Sequence, residues 1–136
     1  MRSCTRMWNK ARSALFRDTV TFVPQFSLVV CTNHLFDIKS MDDAFYRNIC
    51  ARASVSEVLQ SIKTASGLGI HVETRTNVIP GYNDDNANLA AVADWIHDNL
   101  GADSPWHVTR FHPAYRMADV PSTPVDTLEQ AAALGR

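Results

Sequence analysis

Four stretches of the sequence gather side chains able to bind or move charge: Asp37 with Lys39, Arg75 with the polar loop from Asn77 to Asp85, Arg110 with His112, and Cys31 with Asn33. Asp37 and Lys39 are two residues apart, so on a strand both point to the same side. Opposite charges side by side can hold a zwitterion, or they can form a surface pair of little energetic worth. Arg75 sits within a stretch that reads as a strand. There it needs an anionic partner such as Glu73, or an exposed edge, because an unpaired buried charge is costly. His112 follows a predicted strand and precedes Pro113, where it can be a site residue or simply a packing or capping one. Asp84 and Asp85 suit a helix N-terminus, which favours negative charge.

The surrounding pattern supplies the elements that must position these groups. Residues 7–17 put Met7, Ala11, Ala14 and Leu15 at helical spacing, and Ser27 to Cys31 reads as a buried strand that Pro24 separates from an edge piece. Ser40 with Asp43 resembles the opening of a helix through Phe45, Tyr46 and Ile49. Ser54 or Ser56 opens a second, with Val58, Leu59, Ile62 and Ala65 on one face and Gly67 and Gly69 at its end. Ile70 to Ile79 alternates Ile70, Val72, Thr74 and Thr76 on one face, which predicts a strand stopped by Pro80-Gly81. Asn83 or Asp84 should cap a long helix with a stripe of Leu89, Ala90, Val92, Ala93, Ile96 and Leu100, ended by Gly101. A strand over Trp106 to Phe111 follows, and Thr123-Pro124 resembles an N-cap and N1 pair before a last helix. Strands alternating with helices in this way predict parallel βαβ units. The order also predicts a further strand after Arg136.

Composition narrows the function classes. The 136 residues hold 46% apolar and 20% charged side chains with a formal net charge of −1, so no bulk field draws the chain to nucleic acid or an anionic membrane. Arg2, Arg6, Lys10, Arg12 and Arg17 make the first stretch basic, either as a nucleic-acid arm or as a solvated helix face. No apolar run approaches the roughly 20 residues of a membrane span, no signal-peptide pattern opens the chain, and a cytoplasmic location is expected. Cys4, Cys31 and Cys50 are odd in number and widely spaced, which argues against a disulfide framework.

Residues 37–135 resemble the radical S-adenosylmethionine (SAM) proteins related to pyruvate formate-lyase activating enzyme, especially those called AmmeMemoRadiSam-system enzymes. The resemblance is carried by DIKSMDDAFYRNIC (37–50), ETRTNVIPGYND (73–84), PWHVTRFHPAYRM (105–117) and PSTPVDTLEQA (121–131). It implies an α/β fold, a partial (β/α) barrel of the radical SAM type with parallel strands, beside an irregular or mixed N-terminal segment. It also implies that Asp37 and Lys39 help hold the methionine end of SAM, and that Arg75 and His112 lie near the bound cofactor. Arginine forks onto a carboxylate, and imidazole can donate to or stack on a nucleoside. The family's 4Fe-4S cluster is held by three cysteines of a CxxxCxxC motif. That motif and the glycine-rich SAM-amine motif after it are absent from this sequence. The implied parent activity is reductive cleavage of SAM to a 5′-deoxyadenosyl radical, which abstracts hydrogen from a protein or small-molecule acceptor. This chain is expected to retain SAM contacts rather than autonomous radical chemistry.

Residues 15–39, LFRDTVTFVPQFSLVVCTNHLFDIK, are instead similar to the motor region of phage or plasmid primase-helicases of the superfamily 3 type. In those proteins a buried strand ends in Cys-Thr-Asn, and the Asn, here Asn33, would read a nucleotide γ-phosphate. The phosphate loop it needs, GxxxxGK(S/T), does not occur in this chain. Asp-Ile-Lys-Ser fits both patterns. The expected organisation is therefore a primase-helicase-like segment over 1–39 and a truncated radical SAM-like domain over 40–136. The alternative is one radical SAM protein whose own strand reads SLVVCTN. A helicase fragment binding nucleic acid, and a non-enzymatic α/β domain completed by a partner chain, are the competing functional readings. An incomplete sheet would also favour self-association through its unpaired edge.

Overall fold

The computed structural model describes residues 33–50 and 54–136. The helix expected over 7–17, the strand over 27–31 and the basic N-terminal stretch lie outside the described residues. The remainder runs β1 (Asn33–Asp37), α1 (Asp43–Ile49), α2 (Val55–Gly67), β2 (His71–Val78), α3 (Asn86–Leu100), β3 (Trp106–Arg110), a 3-10 turn (Tyr115–Met117) and α4 (Val125–Leu134). The strands form one sheet in the order β1-β2-β3, with both pairs parallel. This is the mixed α/β, partial (β/α) architecture that the alternation of strands and helices predicts. Among the described residues, no helix is long and apolar enough to cross a membrane.

Central strand β2 explains why the two faces of the sheet differ. A parallel strand covered on both faces reads as a continuous apolar run; β2 instead alternates, with Val72, Thr74, Thr76 and Val78 buried and His71, Glu73, Arg75 and Asn77 on the other side. The buried side meets the helices. Ile62 and Ala65 of α2, Val92 and Ile96 of α3, Val72 of β2 and Ile38 just past β1 close one core, with Phe36 and Trp106 packed against it. Val78, Leu89 and Ala131 close a second, bringing α4 onto β3. The threonines on this apolar side are satisfied within it: the Thr76 hydroxyl donates to the Ile38 carbonyl at 2.6 Å and accepts from the Trp106 indole N–H at 2.9 Å.

Helix boundaries follow capping chemistry, with several caps one or two residues from where the sequence suggests them. Ser54 opens α2 in a full capping box with Glu57. Asp42, not Ser40, caps α1 by accepting from the Ala44 N–H at 2.7 Å. Asp85, not Asn83 or Asp84, caps α3 by accepting from Asn88 N–H at 2.8 Å. The displaced candidates have other work. The Ser40 hydroxyl accepts from the Asp42 N–H and donates to the Asn88 side-chain oxygen, and Asp84 accepts from the Gly81 N–H. Thr123 does not cap α4 either; that position is held by Pro124. Gly101 at φ +100° ends α3 in a conformation that a side chain would strain.

Candidate functional site

The sheet face that the described helices leave uncovered is polar, and parallel register sets its side chains in rows. Asp37 of β1, Arg75 of β2 and His107 of β3 are in register and form one row. One step nearer the C-terminal strand ends, Asn77 is in register with Thr109, and Lys39 follows Asp37 by two residues. One step in the other direction lie Leu35 and Glu73, also in register. In parallel α/β sheets and barrels, sites form at the C-terminal strand ends. The two upper rows are at that end here.

Within this face, charges are paired. The Arg75 Nε donates to the Asp37 carboxylate at 2.8 Å, and the Lys39 ammonium lies 3.5 Å from its other oxygen. Arg75 thus takes Asp37, 38 residues away, as its partner rather than Glu73. Glu73 instead meets His107 Nε2 at 2.7 Å and His71 Nε2 at 3.5 Å. The Asp37 and Arg75 side chains remain 34% and 43% exposed, so water screens their pairing and a ligand can reach both. Burial pushes the Asp37 carboxyl up, but the Arg75 hydrogen bond and the charges of Lys39 and Arg75 outweigh it and hold the group below its ordinary 3.8. Asp37 in turn raises the Arg75 guanidinium, through their hydrogen bond and then its charge.

Two hollows open on this constellation. One, of ≈ 380 Å³, is lined by Asp37, Lys39, Arg75, Asn77, Thr109 and Arg110. The other, of ≈ 390 Å³, shares Asp37, Lys39 and Asn77 with it and runs under α1 against Phe45, Tyr46, Ile49 and Cys50. The Tyr46 hydroxyl accepts from the Lys39 N–H at 3.0 Å, which anchors α1 to the end of β1. Burial raises the Cys50 thiol and the Tyr46 phenol above their ordinary 9.0 and 10.0. Both are therefore neutral at physiological pH, and Cys50 is a poor thiolate nucleophile.

Opposite pH limbs of stability follow from these shifts. Asp37 is depressed, so its contribution is present above 3.8 and is lost as pH falls through its lower folded value. Cys50 and Tyr46 are raised, so the folded state loses stability as pH climbs past 9.0 and then 10.0. Urea midpoints measured across pH should fall at both ends. Asp37→Asn should reduce the acid limb and, because burial is the main cause of the Cys50 and Tyr46 shifts and the Asp37 charge only a lesser one, soften the alkaline limb slightly.

The sequence-predicted residues divide cleanly. Asp37, Lys39 and Arg75 come together on one face and line one hollow. His112 lies beyond β3 in an exposed loop, makes no hydrogen bond among the described residues, and lines neither hollow. Arg110, in register with Val78, lies off the polar row and its Nε donates to the Thr123 carbonyl at 2.8 Å, yet it still borders the polar hollow. Asn33 begins β1, and Cys31 lies outside the described residues. Asn77 and Thr109 were not singled out as individual site residues from sequence. Period-two counting from Arg75 would have found Asn77, whereas Thr109 requires the β2–β3 register.

Likenesses to known proteins include two curated relatives and a solved structure. An uncharacterized protein of Methanocaldococcus jannaschii is 43% identical over 95 residues, covering 70% of this chain and 28% of that protein. The isethionate sulfite-lyase activating enzyme of Nitratidesulfovibrio vulgaris is 41% identical over 61 residues, covering 43% of this chain and 20% of the enzyme. The chain thus spans less than a third of the length of either relative. A crystal structure of a domain of pyruvate-formate lyase-activating enzyme from Bacteroides vulgatus matches with a TM-score of 0.59 over 77% of this chain and 62% of that one, at 20% identity. The fold is shared with that domain. No family model matches the chain.

Proposed function

We propose that this chain is the SAM-binding part of a radical SAM enzyme of the activating-enzyme kind. The observation that carries this reading is the Asp37–Arg75–Lys39 constellation, which lies at the C-terminal strand ends of the sheet face that the described helices leave uncovered. A methionine end carries one carboxylate and one ammonium. Arg75 and Lys39 supply cations for the first and Asp37 an anion for the second, each exposed enough to exchange its present partner for the ligand. The likeness to an activating enzyme and the fold shared with an activating-enzyme domain support the same assignment. His112, in the loop after β3, is assigned to the nucleoside side.

The residues present do not fit a 4Fe-4S cluster. Among the described residues, no group of three His, Cys, Asp or Glu side chains converges as metal ligands, and the sequence holds no CxxxCxxC. No chemical step is therefore assigned to these residues through a cluster. Their part is to bind and orient SAM, whose sulfonium supplies the cleavable bond when the cofactor is bound. The radical acceptor, a protein or small molecule, belongs to the proposed parent activity.

Isothermal titration calorimetry of SAM into the full chain tests this. Binding is expected, weakened about tenfold or more by Arg75→Ala and by Asp37→Asn, since each removes a charge-assisted contact. Lys63→Ala, exposed on α2, should change nothing. Absence of binding by the unaltered chain at roughly millimolar SAM would overturn the reading.

A further inference from the structure

Strand β3 stands at one side of the described sheet, and its outer edge is open. The Thr74 N–H donates to the Pro105 carbonyl at 2.9 Å. Pro105, His107 and Thr109 therefore turn their backbone groups toward β2, while Trp106, Val108 and Arg110 turn theirs outward. Those outward N–H and C=O groups have no hydrogen-bond partner among the described residues. Proteins normally blunt such an edge with lysine, proline, a bulge or a covering segment. Among the described residues β3 has none of these. Its register with β2 runs one to one from Trp106 to Arg110, it holds neither lysine nor proline, and Trp106, Val108 and Thr109 are strand formers. Apolar side chains also lie open beside it: Val125 and Leu134, on the helix whose Leu128 and Ala131 pack against Trp106 and Val108, are 55% and 42% exposed.

We infer that this edge is a self-association surface, where β3 of a second copy of the chain pairs antiparallel about a twofold axis at Val108. The strand's own sequence selects that occupant. A closed dimer joins the same patch of two copies, which for two strands means antiparallel pairing. Centred on Val108, it sets Val108 against its copy, Trp106 against Arg110, and His107 against Thr109. The outward residues then become the hydrogen-bonded pairs, in a ladder of about six bonds. Any shift from that centre shortens the ladder. Pairing also respects the two sides of the sheet, because Trp106, Val108 and Arg110 are in register with the buried row of β2, and His107 and Thr109 with its polar row. Arg110 is the strand's one permanent charge, and the two copies of it fall at opposite ends of the ladder, each across from an indole. No like charges face each other. The inference needs nothing from the SAM-binding reading, and the two can fail separately.

Sedimentation equilibrium of the full chain tests it. The unaltered chain should sediment at twice the chain mass at about 100 μM. Val108→Lys sets two ammonium groups opposite each other at the axis and should sediment as a monomer, with the circular dichroism spectrum of the unaltered chain as the check on folding. Val108→Cys reads the register and stands even if the lysine variant fails to fold. Its opposed Cα atoms would lie about 5.5 Å apart, within disulfide reach, so mild oxidation should yield a covalent dimer. Leu68→Cys, 75% exposed just past α2, should cross-link no more than the native cysteines do. A monomeric unaltered chain at that concentration overturns the inference. A dimer in which Val108→Cys cross-links no better than Leu68→Cys, or in which a folded Val108→Lys stays dimeric, uses another surface and overturns it as well.

Discussion

Asn83→Ala should lower the stability of this domain by about 3–6 kcal/mol, a large part of what a small domain possesses. Asn83 is fully buried, and its side chain ties together three segments that the chain brings in from different places. Its oxygen accepts from the Ile79 N–H at 2.6 Å, closing the turn after β2, and its amide donates to the Lys39 carbonyl at 2.6 Å and the Asn77 carbonyl at 3.0 Å. Alanine leaves the buried Ile79 N–H and the part-buried Lys39 and Asn77 carbonyls without that partner. Stranding a buried donor or acceptor costs about 1–3 kcal/mol each, more than the net worth of the bond itself. Urea unfolding followed by tryptophan fluorescence measures the loss; a change below about 1 kcal/mol would show that the turn holds without its asparagine. Asn83→Asp should fall at least as far, because a carboxylate there would face the Lys39 and Asn77 carbonyls that now accept from the amide.

Thr123→Val is the second large effect, expected at about 2–4 kcal/mol. The Thr123 hydroxyl is fully buried; it donates to the Val78 carbonyl at 2.6 Å and accepts from the Phe111 N–H at 2.8 Å. It thereby fastens the loop before α4 to the ends of β2 and β3. Valine has the same shape, so no cavity opens, and the loss isolates the two hydrogen bonds from packing. Thr123→Ser, which keeps the hydroxyl, should retain most of the stability. Amide exchange at Phe111 should quicken in the valine variant and stay slow in the serine one.

These two residues also mark where sequence reading reaches its limit. The fold was legible wherever periodicity was strong. The β2 alternation of Val72, Thr74, Thr76 and Val78 and the α3 stripe of Leu89, Val92 and Ile96 are patterns that burial alone dictates. Asp37 and Lys39 were legible as a same-side pair because a strand has period two. The partner of Arg75 was not, because Asp37 is 38 residues away and becomes its neighbour only through the parallel register. Local order made Glu73 the natural candidate. Asn83 and Thr123 looked like helix caps for a related reason: both precede helices and carry short polar side chains, the usual capping signature. Their buried positions between strand ends gave their hydrogen-bonding groups other partners, and no short window of sequence contains those partners. Period two from Arg75 places Asn77 on the polar face, but nothing in the sequence shows that its amide stays open.

The all-parallel sheet has a consequence for the order in which this domain can assemble. No two of its described strands are joined by a tight turn. Asp37 and Arg75, neighbours in the sheet, are separated by two intervening helices, and β3 is reached only across α3. A hairpin nucleus is therefore unavailable to these strands, and each strand pairing must first bear the entropy of closing a long loop. Helices α2 and α3, which carry their own caps and apolar stripes, can form locally before any ladder exists. The polar face, built from side chains on all three strands, is then among the last features to appear, so a nascent chain would assemble the Asp37–Arg75–His107 row only after nearly all of the described tertiary structure was in place.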